Sequence, residues 1–176
     1  DVVVCSKQLS SSYLPISALM INERVFEPIA DESNRIGTLG HGFTAGGHPV
    51  AAAVALENLA IIEERDLVAN VRTVGAHMQK RLRQLADHPL VGEVRGIGLI
   101  AAVEVVTDKA AKKALDRVGR PGAGVAGLPR ENGVTGRAMG DALAFCPPMI
   151  ITEREVDTLV DAFQASLDEA ARRIAG

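Results

Sequence analysis

One lysine of this chain, Lys7, lies where an apolar strand gives way to a polar turn. Residues 2–5 before it are apolar and mostly β-branched, which predicts a short strand. The residues after it, with serines at 10–12 followed by Pro15, favour neither a strand nor a helix. A lysine amine mounted at a strand end and shielded from water can form a Schiff base with a carbonyl. On these residues alone, a surface lysine at a strand terminus is the simpler interpretation.

Two other side chains are of types that bind anions. Thr44 lies in a Gly-rich run, 40–48, just before an Ala-rich helix, where a hydroxyl and backbone N–H groups suit a phosphate; an ordinary loop threonine would look the same. Arg137 can bind a carboxylate through two hydrogen bonds, and a salt bridge to Asp141 is the alternative. Tyr13 either lines a substrate pocket or packs on the Lys7 turn.

Four blocks of sequence carry these residues, in a fixed order. The first has Ser6-Lys7, Leu9, Tyr13, Pro15 and Ala18; the second is GHGFTAGGHP at 40–49; the third is VRGIGL at 94–99, followed by Glu104; the fourth is GRAMGD at 136–141 with CPPMIIT at 146–152. Together they resemble the class III, or omega-type, aminotransferases, which are pyridoxal-phosphate enzymes of fold type I. Ser6 replaces the usual Ala of that pattern, and Ser12 replaces a Gly in a turn that suits φ > 0.

The resemblance implies a role for each candidate residue. Lys7 forms the Schiff base with pyridoxal 5'-phosphate and later moves the proton of the substrate. Phe43 and Thr44 bind the cofactor, with Thr44 reaching the phosphate held by the neighbouring subunit, so that a homodimer shares its active sites. Arg137 binds the carboxylate of the acceptor, and Tyr13 contacts substrate.

The resemblance also implies the reaction, which is transfer of an amino group from an amine or omega-amino acid to a 2-oxo acid such as pyruvate. One alternative is a 2,1-aminomutase or decarboxylase of the same family. Another is a catalytically inactive C-terminal fragment that acts as a structural or dimerisation module. In such enzymes the phosphate loop, the stacking aromatic ring and the Asp that pairs with the pyridine nitrogen all precede the lysine strand. None is found here, so we expect the chain to be the C-terminal portion of a longer enzyme.

Composition restricts the other partners. With 19 Lys and Arg against 22 Asp and Glu, the net charge of -3 argues against nucleic acid and anionic membrane surfaces as partners. The four histidines show no ligand spacing, so we predict no metal site. Cys5 and Cys146 lie in apolar runs and are predicted to be buried, reduced thiols, which indicates a cytoplasmic protein.

The elements that must position these residues predict an α/β fold. The resemblance implies that residues 1–65 are the end of a large pyridoxal-phosphate-binding domain and that residues 66–176 are a small α+β C-terminal domain. The predicted elements are a short helical turn over 25–29 ended by Pro28, an irregular segment over 31–48, helices from 50 to 64 and from 67 to 87, strands at 91–95 and 97–106, a helix at 108–115, strands at 134–135 and 142–146 around a turn at Arg137, and a last helix opened by a capping box at 152–155. Pro and Gly at 120–130 weaken the helix that the family pattern implies there.

Overall fold

The chain divides into two compact units, Asp1–Asp66 and Leu67–Gly176. The structure, a computed structural model, describes residues 1–111 and 133–175. Most of the helix predicted at 108–115 and the whole of segment 120–130 therefore lie outside the described residues. Residues 108–111 form a turn in which the Ala111 N–H donates to Asp108 Oδ1 at 2.9 Å. The assignment of the two units to a large and a small aminotransferase domain stays a prediction.

A two-stranded antiparallel ribbon opens the first unit. Strand β1, Val2–Ser6, pairs with β2, Ser17–Ile21, so that Val2 lies opposite Ile21 and Ser6 opposite Ser17. The β-branched run at 2–4 favours this extended backbone. A 3-10 helix, Lys7–Ser10, and a turn join the two strands. Lys7 thus begins the connection immediately after β1, as the sequence predicts.

Helix α1, Glu23–Ile36, is longer than the sequence indicates, and the prediction that Pro28 ends a short helical turn is wrong. Asn22 caps the helix by accepting the Val25 N–H at 3.3 Å, and Gly37 ends it with φ 79°. Pro28 removes one backbone donor, but the residues on either side still form a continuous helix. The irregular segment therefore shrinks to residues 37–48.

Helix α2, Pro49–Glu64, follows that segment, with proline in its first turn. Its buried residues are Ala51 and Ala55, and the helix packs on the 3-10 helix of Lys7. The apolar strand residues of this unit are largely exposed, Val4 by 71% and Leu19 by 65%.

Over its described residues, the second unit is an antiparallel sheet with two α-helices and a short 3-10 helix, Gln84–Asp87. The strands are β3 (Val91–Ile97), β4 (Ile100–Val105), β5 (Arg137–Met139) and β6 (Ala142–Phe145), in the order β3-β4-β6-β5. The helices are α3 (Leu67–Arg83) and α4 (Glu153–Ala175). Alternate residues of β4 and β6 are buried, as expected for a sheet covered on one face. The turn predicted at Arg137 is wrong: Arg137 begins β5, and the turn follows at Gly140, which has φ 64°.

The core of the second unit is formed by the apolar side chains of α3 and α4 together with those of the sheet. Its fully buried members include Met78 and Leu82 from α3, Val103 from β4, and Phe163 and Leu167 from α4. Phe145 and Phe163 pack edge to face with ring centroids 5.1 Å apart. The spacing of the α3 and α4 side chains predicts this core.

Polar contacts fix the first turns of α4, both within the helix and to α3. The predicted capping box is confirmed, because Glu155 Oε2 accepts the Thr152 N–H at 2.8 Å and Thr152 Oγ1 accepts the Glu155 N–H at 3.3 Å. Asp157 accepts from His77 Nε2 and Arg81 Nε, both at 2.8 Å. The hydrogen bond from His77, and then that from Arg81, hold the pKa of Asp157 below its ordinary value. Their contribution to stability is lost as the pH falls through the lowered pKa.

Neither cysteine matches its predicted burial. Cys5 is half-buried on β1, Cys146 is exposed just after β6, and both are free thiols. Cys146 lies beyond the last paired residue of its strand. It is therefore exposed, although the apolar residues around it predicted burial. In the part of the chain that the structure describes, no helix combines the length and apolar character needed to cross a bilayer.

Candidate active site

The turn that carries Lys7 has an unusual backbone. Lys7, Ser11 and Ser12 have positive φ values of 52°, 48° and 62°. A left-handed conformation costs a residue with a Cβ about 1–2 kcal/mol, and such strain concentrates at functional sites. The prediction that position 12 suits φ > 0 is therefore confirmed, although serine rather than glycine adopts it.

Short-range hydrogen bonds close this turn. The Ser12 N–H donates to the Lys7 carbonyl at 3.1 Å, and the Tyr13 N–H donates to the Ser10 carbonyl at 3.0 Å. The buried Ser10 hydroxyl donates to the Leu14 carbonyl at 2.6 Å. The lysine is thus mounted on a compact loop whose direction is set by residues 7–14.

Helix α2 holds the same turn from outside. Asn58 Nδ2 donates to the carbonyls of Gln8 and Leu9, at 2.7 and 3.3 Å. Asn58 Oδ1 accepts the hydroxyl of Ser11 at 2.6 Å. Sequence reasoning missed this residue. Its only signal was an amide in the middle of an Ala-rich, apolar helix, and the partner segment lies almost 50 positions away.

Lys7 lines an open hollow of about 880 Å³, which we call the Lys7 hollow. Its wall includes Ser12, His41, Phe43, His48 and Ala51 as well as Lys7. The residues come from the lysine turn, from the Gly-rich segment and from the first turn of α2. A volume of this size accommodates a cofactor or small substrate, and Lys7 supplies an amine at its wall.

The Gly-rich segment brings Phe43, but not Thr44, into this wall. A turn in which the Gly46 N–H donates to the Phe43 carbonyl at 2.9 Å places Thr44 at its exposed corner. Phe43 is 79% exposed and packs edge to face on His41, with centroids 5.5 Å apart. Within the described residues, no hydrogen bond engages the Thr44 hydroxyl, which leaves it open to solvent or to another molecule.

Tyr13 and Arg137 lie outside the Lys7 hollow. Tyr13 is 83% exposed, so it does not pack on its own turn. Arg137 belongs to the second unit, where its side chain is exposed on β5. Among residues 1–111 and 133–175 it forms no ion pair, and the alternative salt bridge to Asp141 is not found. Within the first unit the structure thus brings Lys7 and Phe43 together and leaves Thr44 and Tyr13 exposed away from that wall, while Arg137 is exposed on the second unit.

Several residues of the Lys7 hollow have groups that suit a cofactor with an aldehyde and a phosphate. Lys7 offers the amine, Ser12 offers a hydroxyl, and His41 and His48 offer ring nitrogens. Apolar side chains, among them Leu14 and Ile16, complete the wall and suit one face of an aromatic ring. The residues present therefore suit the lysine side of a pyridoxal phosphate site.

Sequence comparison identifies the family. Residues 1–167 match the family described as aminotransferase class-III. The putrescine–pyruvate aminotransferase of Pseudomonas aeruginosa is 39% identical over 179 residues, covering 99% of this chain and 37% of that protein. The chain therefore spans little more than a third of the length of this curated relative.

Solved structures agree with the sequence match. A transaminase solved with L-Ala has a TM-score of 0.95 and 67% identity, over 99% of this chain and 41% of that one. The omega transaminase of Pseudomonas jessenii, solved in complex with PMP, has a TM-score of 0.94 and 53% identity, over 99% of this chain and 39% of that one. The fold described above is consequently that of the corresponding part of these transaminases.

Proposed function

The chain belongs to the class III aminotransferase family, and from that premise we propose that it is part of a pyridoxal-phosphate-dependent transaminase in which Lys7 carries the cofactor. The observation that carries the proposal is the position of Lys7. It follows β1 directly, in a turn with positive φ, and lines the Lys7 hollow. A strained, externally fixed turn is a suitable mount for a reactive amine.

In the proposed reaction Lys7 has two roles. Its Nζ would hold the cofactor covalently, and while a substrate occupies the site the free Nζ would accept the proton of the substrate Cα and return it. The cofactor, when bound, supplies the electron sink for that proton transfer. Phe43, which lines the Lys7 hollow, would contact the cofactor.

The proposed substrates are an amine or omega-amino acid as donor and a 2-oxo acid such as pyruvate as acceptor. Two relatives support this pair, a putrescine–pyruvate aminotransferase and a transaminase solved with L-Ala. Arg137 is proposed to bind the acceptor carboxylate, because it is an exposed guanidinium that no described carboxylate neutralises. Tyr13, equally exposed, is proposed to contact the substrate.

We further propose a cytoplasmic homodimer with shared active sites. Thr44 supports this arrangement: its exposed hydroxyl lies outside the wall of the Lys7 hollow in its own chain, where it is available to a neighbouring subunit. Two free thiols are typical of a reducing compartment.

The first test replaces the proposed lysine in the natural polypeptide that contains this chain. Lys7→Arg should abolish transamination between an amine donor and pyruvate, because a guanidinium remains protonated and cannot attach to the aldehyde. Lys80→Arg, at an exposed position of α3, is the matched control and should keep activity within about twofold of the parent. A Lys7→Arg protein as active as its control would refute the proposal.

A further inference from the structure

We propose that Asn58 is the positioning residue of Lys7: its side-chain amide fixes the turn that carries the lysine and thereby sets where the amine points in the Lys7 hollow. The inference rests on the proposed function, since it matters for catalysis only if Lys7 carries the cofactor. Asn58 itself touches neither the wall of the Lys7 hollow nor the lysine side chain, and it acts through residues 8–11.

Both the amide nitrogen and the amide oxygen of Asn58 form hydrogen bonds with the turn. Its Nδ2 group donates to two successive carbonyls, those of Gln8 and Leu9, and its Oδ1 accepts the hydroxyl of Ser11. Gln8 Nε2 donates in turn to Ser11 Oγ at 3.1 Å, which closes a small network. An amide that donates and accepts at once fixes both the position and the rotation of the turn.

The turn needs such support because its own conformation is unfavourable. Lys7, Ser11 and Ser12 each adopt positive φ, and each costs about 1–2 kcal/mol relative to an ordinary conformation. A single turn of 3-10 helix has few internal bonds with which to offset that cost. The three hydrogen bonds of Asn58 join Gln8, Leu9 and the strained Ser11, and through them the turn, to a 16-residue helix.

Helix α2 also contributes a residue to the wall of the Lys7 hollow. Ala51 lines the Lys7 hollow and Asn58 follows seven residues, or about two helical turns, later on the same face. Ala51 and Ala55 are buried and small, which allows α2 to approach the turn closely. One helix therefore both fixes the lysine turn and forms part of the wall of the Lys7 hollow.

The test uses an isosteric exchange in the natural polypeptide. Asn58→Asp keeps the size of the side chain and the acceptor for Ser11, but replaces both donors by an oxygen that repels the Gln8 and Leu9 carbonyls. Glu57→Gln, at the adjacent exposed position, where no hydrogen bond or ion pair is formed within the described residues, is the matched control. Ser11→Ala removes one bond only and serves as a milder second variant.

The first readout needs no cofactor. In the cofactor-free protein, the Ser12 and Tyr13 amides, which close the turn, should exchange with deuterium on the order of tenfold faster in Asn58→Asp than in the parent. Ser11→Ala should give a smaller change in the same direction, and Glu57→Gln should give none. Unchanged exchange in Asn58→Asp would overturn the inference.

The second readout separates positioning from simple structural support. In the cofactor-loaded protein, Asn58→Asp should lower kcat on the order of tenfold while KM for the amine donor stays within about twofold, because a displaced amine affects proton transfer more than donor binding. Faster exchange with an unchanged kcat would make Asn58 a structural support only and would overturn the positioning role. A parent protein that does not load pyridoxal phosphate at Lys7 would refute the proposed function, and with it this role, before any variant is compared.

Discussion

At the scale of single residues, two arginines of the second unit show the difference between a structural and an available guanidinium. Arg95 Nη1 contacts Glu93 at 2.9 Å and Glu104 at 3.0 Å. The hydrogen bond to Glu104, helped by Glu93, raises the pKa of Arg95. Arg137 is exposed on β5 and forms no ion pair within the described residues. A guanidinium without a partner is able to bind the carboxylate of a substrate.

Arg137→Ala should therefore weaken the use of pyruvate far more than the use of an aldehyde acceptor that lacks a carboxylate. Loss of a charge-assisted hydrogen bond predicts a selective fall in kcat/KM on the order of ten- to a hundredfold. Thermal stability should change little, because the Arg137 side chain forms no ion pair or hydrogen bond with the described residues. Arg95→Ala is the control, for which we expect lower stability and no preference between acceptors. Equal losses for both acceptors in Arg137→Ala would assign this residue a structural role.

Single residues also show what the sequence could predict of the site. Lys7 was identifiable because a strand, a turn and the family pattern agree at one position, and Ser12 because it replaces a glycine where φ is positive. Asn58 could not be identified, since its partners are distant in sequence and its role depends on how α2 packs. The burial of Cys146 was predicted wrongly, because a run of apolar residues does not show where a strand stops pairing.

At the scale of elements, the turn between β3 and β4 docks on α3 through two glycines. A Cβ added to Gly75 would lie 2.7 Å from the backbone of Gly98. Gln79 Nε2 donates to the carbonyls of Gly98 and Ile100, at 2.9 and 3.1 Å. Backbone-to-backbone proximity at this point sets the position of the whole β3–β4 hairpin on α3.

The sign of the change in the free energy of unfolding caused by Gly75→Ala distinguishes the effect of this contact from that of helix propensity. Propensity alone predicts a gain of about 1 kcal/mol in the free energy of unfolding, whereas a clash with Gly98 that costs about 1–3 kcal/mol offsets this gain and leaves a net loss of up to about 2 kcal/mol. Urea unfolding of the protein, with Thr73→Ala at an exposed position of the same helix as control, measures the difference. A stabilised Gly75→Ala protein would show that the two backbones do not meet so closely.

The elements differ in how well local sequence predicts them. The capping box at Thr152 and the apolar stripes of α3 and α4 depend on neighbouring residues and were predictable. Helix α1 was not, because the effect of Pro28 depends on whether the flanking turns are stable enough to tolerate one missing hydrogen bond. The strand at Arg137 was also missed, since a three-residue edge strand is defined by its pairing with β6.

At the scale of the whole molecule, the proposal is a dimer in which each site uses two chains. Lys7 and Phe43 line one hollow, while Thr44 is exposed beside it on the same segment. In a symmetric dimer, a residue that does not reach its own site can complete that of its partner.

Mixing Lys7→Ala protein with Thr44→Ala protein tests this arrangement. If Thr44 serves the neighbouring subunit, each hybrid dimer has one site with neither substitution, and about a quarter of all sites are restored when subunits exchange freely. The activity of the mixture should then exceed that of either parent. No gain in a mixture whose subunit exchange is verified by mass spectrometry would place Thr44 in the site of its own chain, or outside the site altogether.

The most direct test of the central claim is to locate the covalent label left by the cofactor. The natural polypeptide containing this chain is incubated with pyridoxal phosphate, reduced with borohydride, digested and mapped by mass spectrometry. The proposal predicts a phosphopyridoxyl group on Lys7, with Lys80 and Lys109 unmodified at the same cofactor concentration. A label on another lysine, or no label on Lys7 in a protein that transaminates, would contradict the assignment.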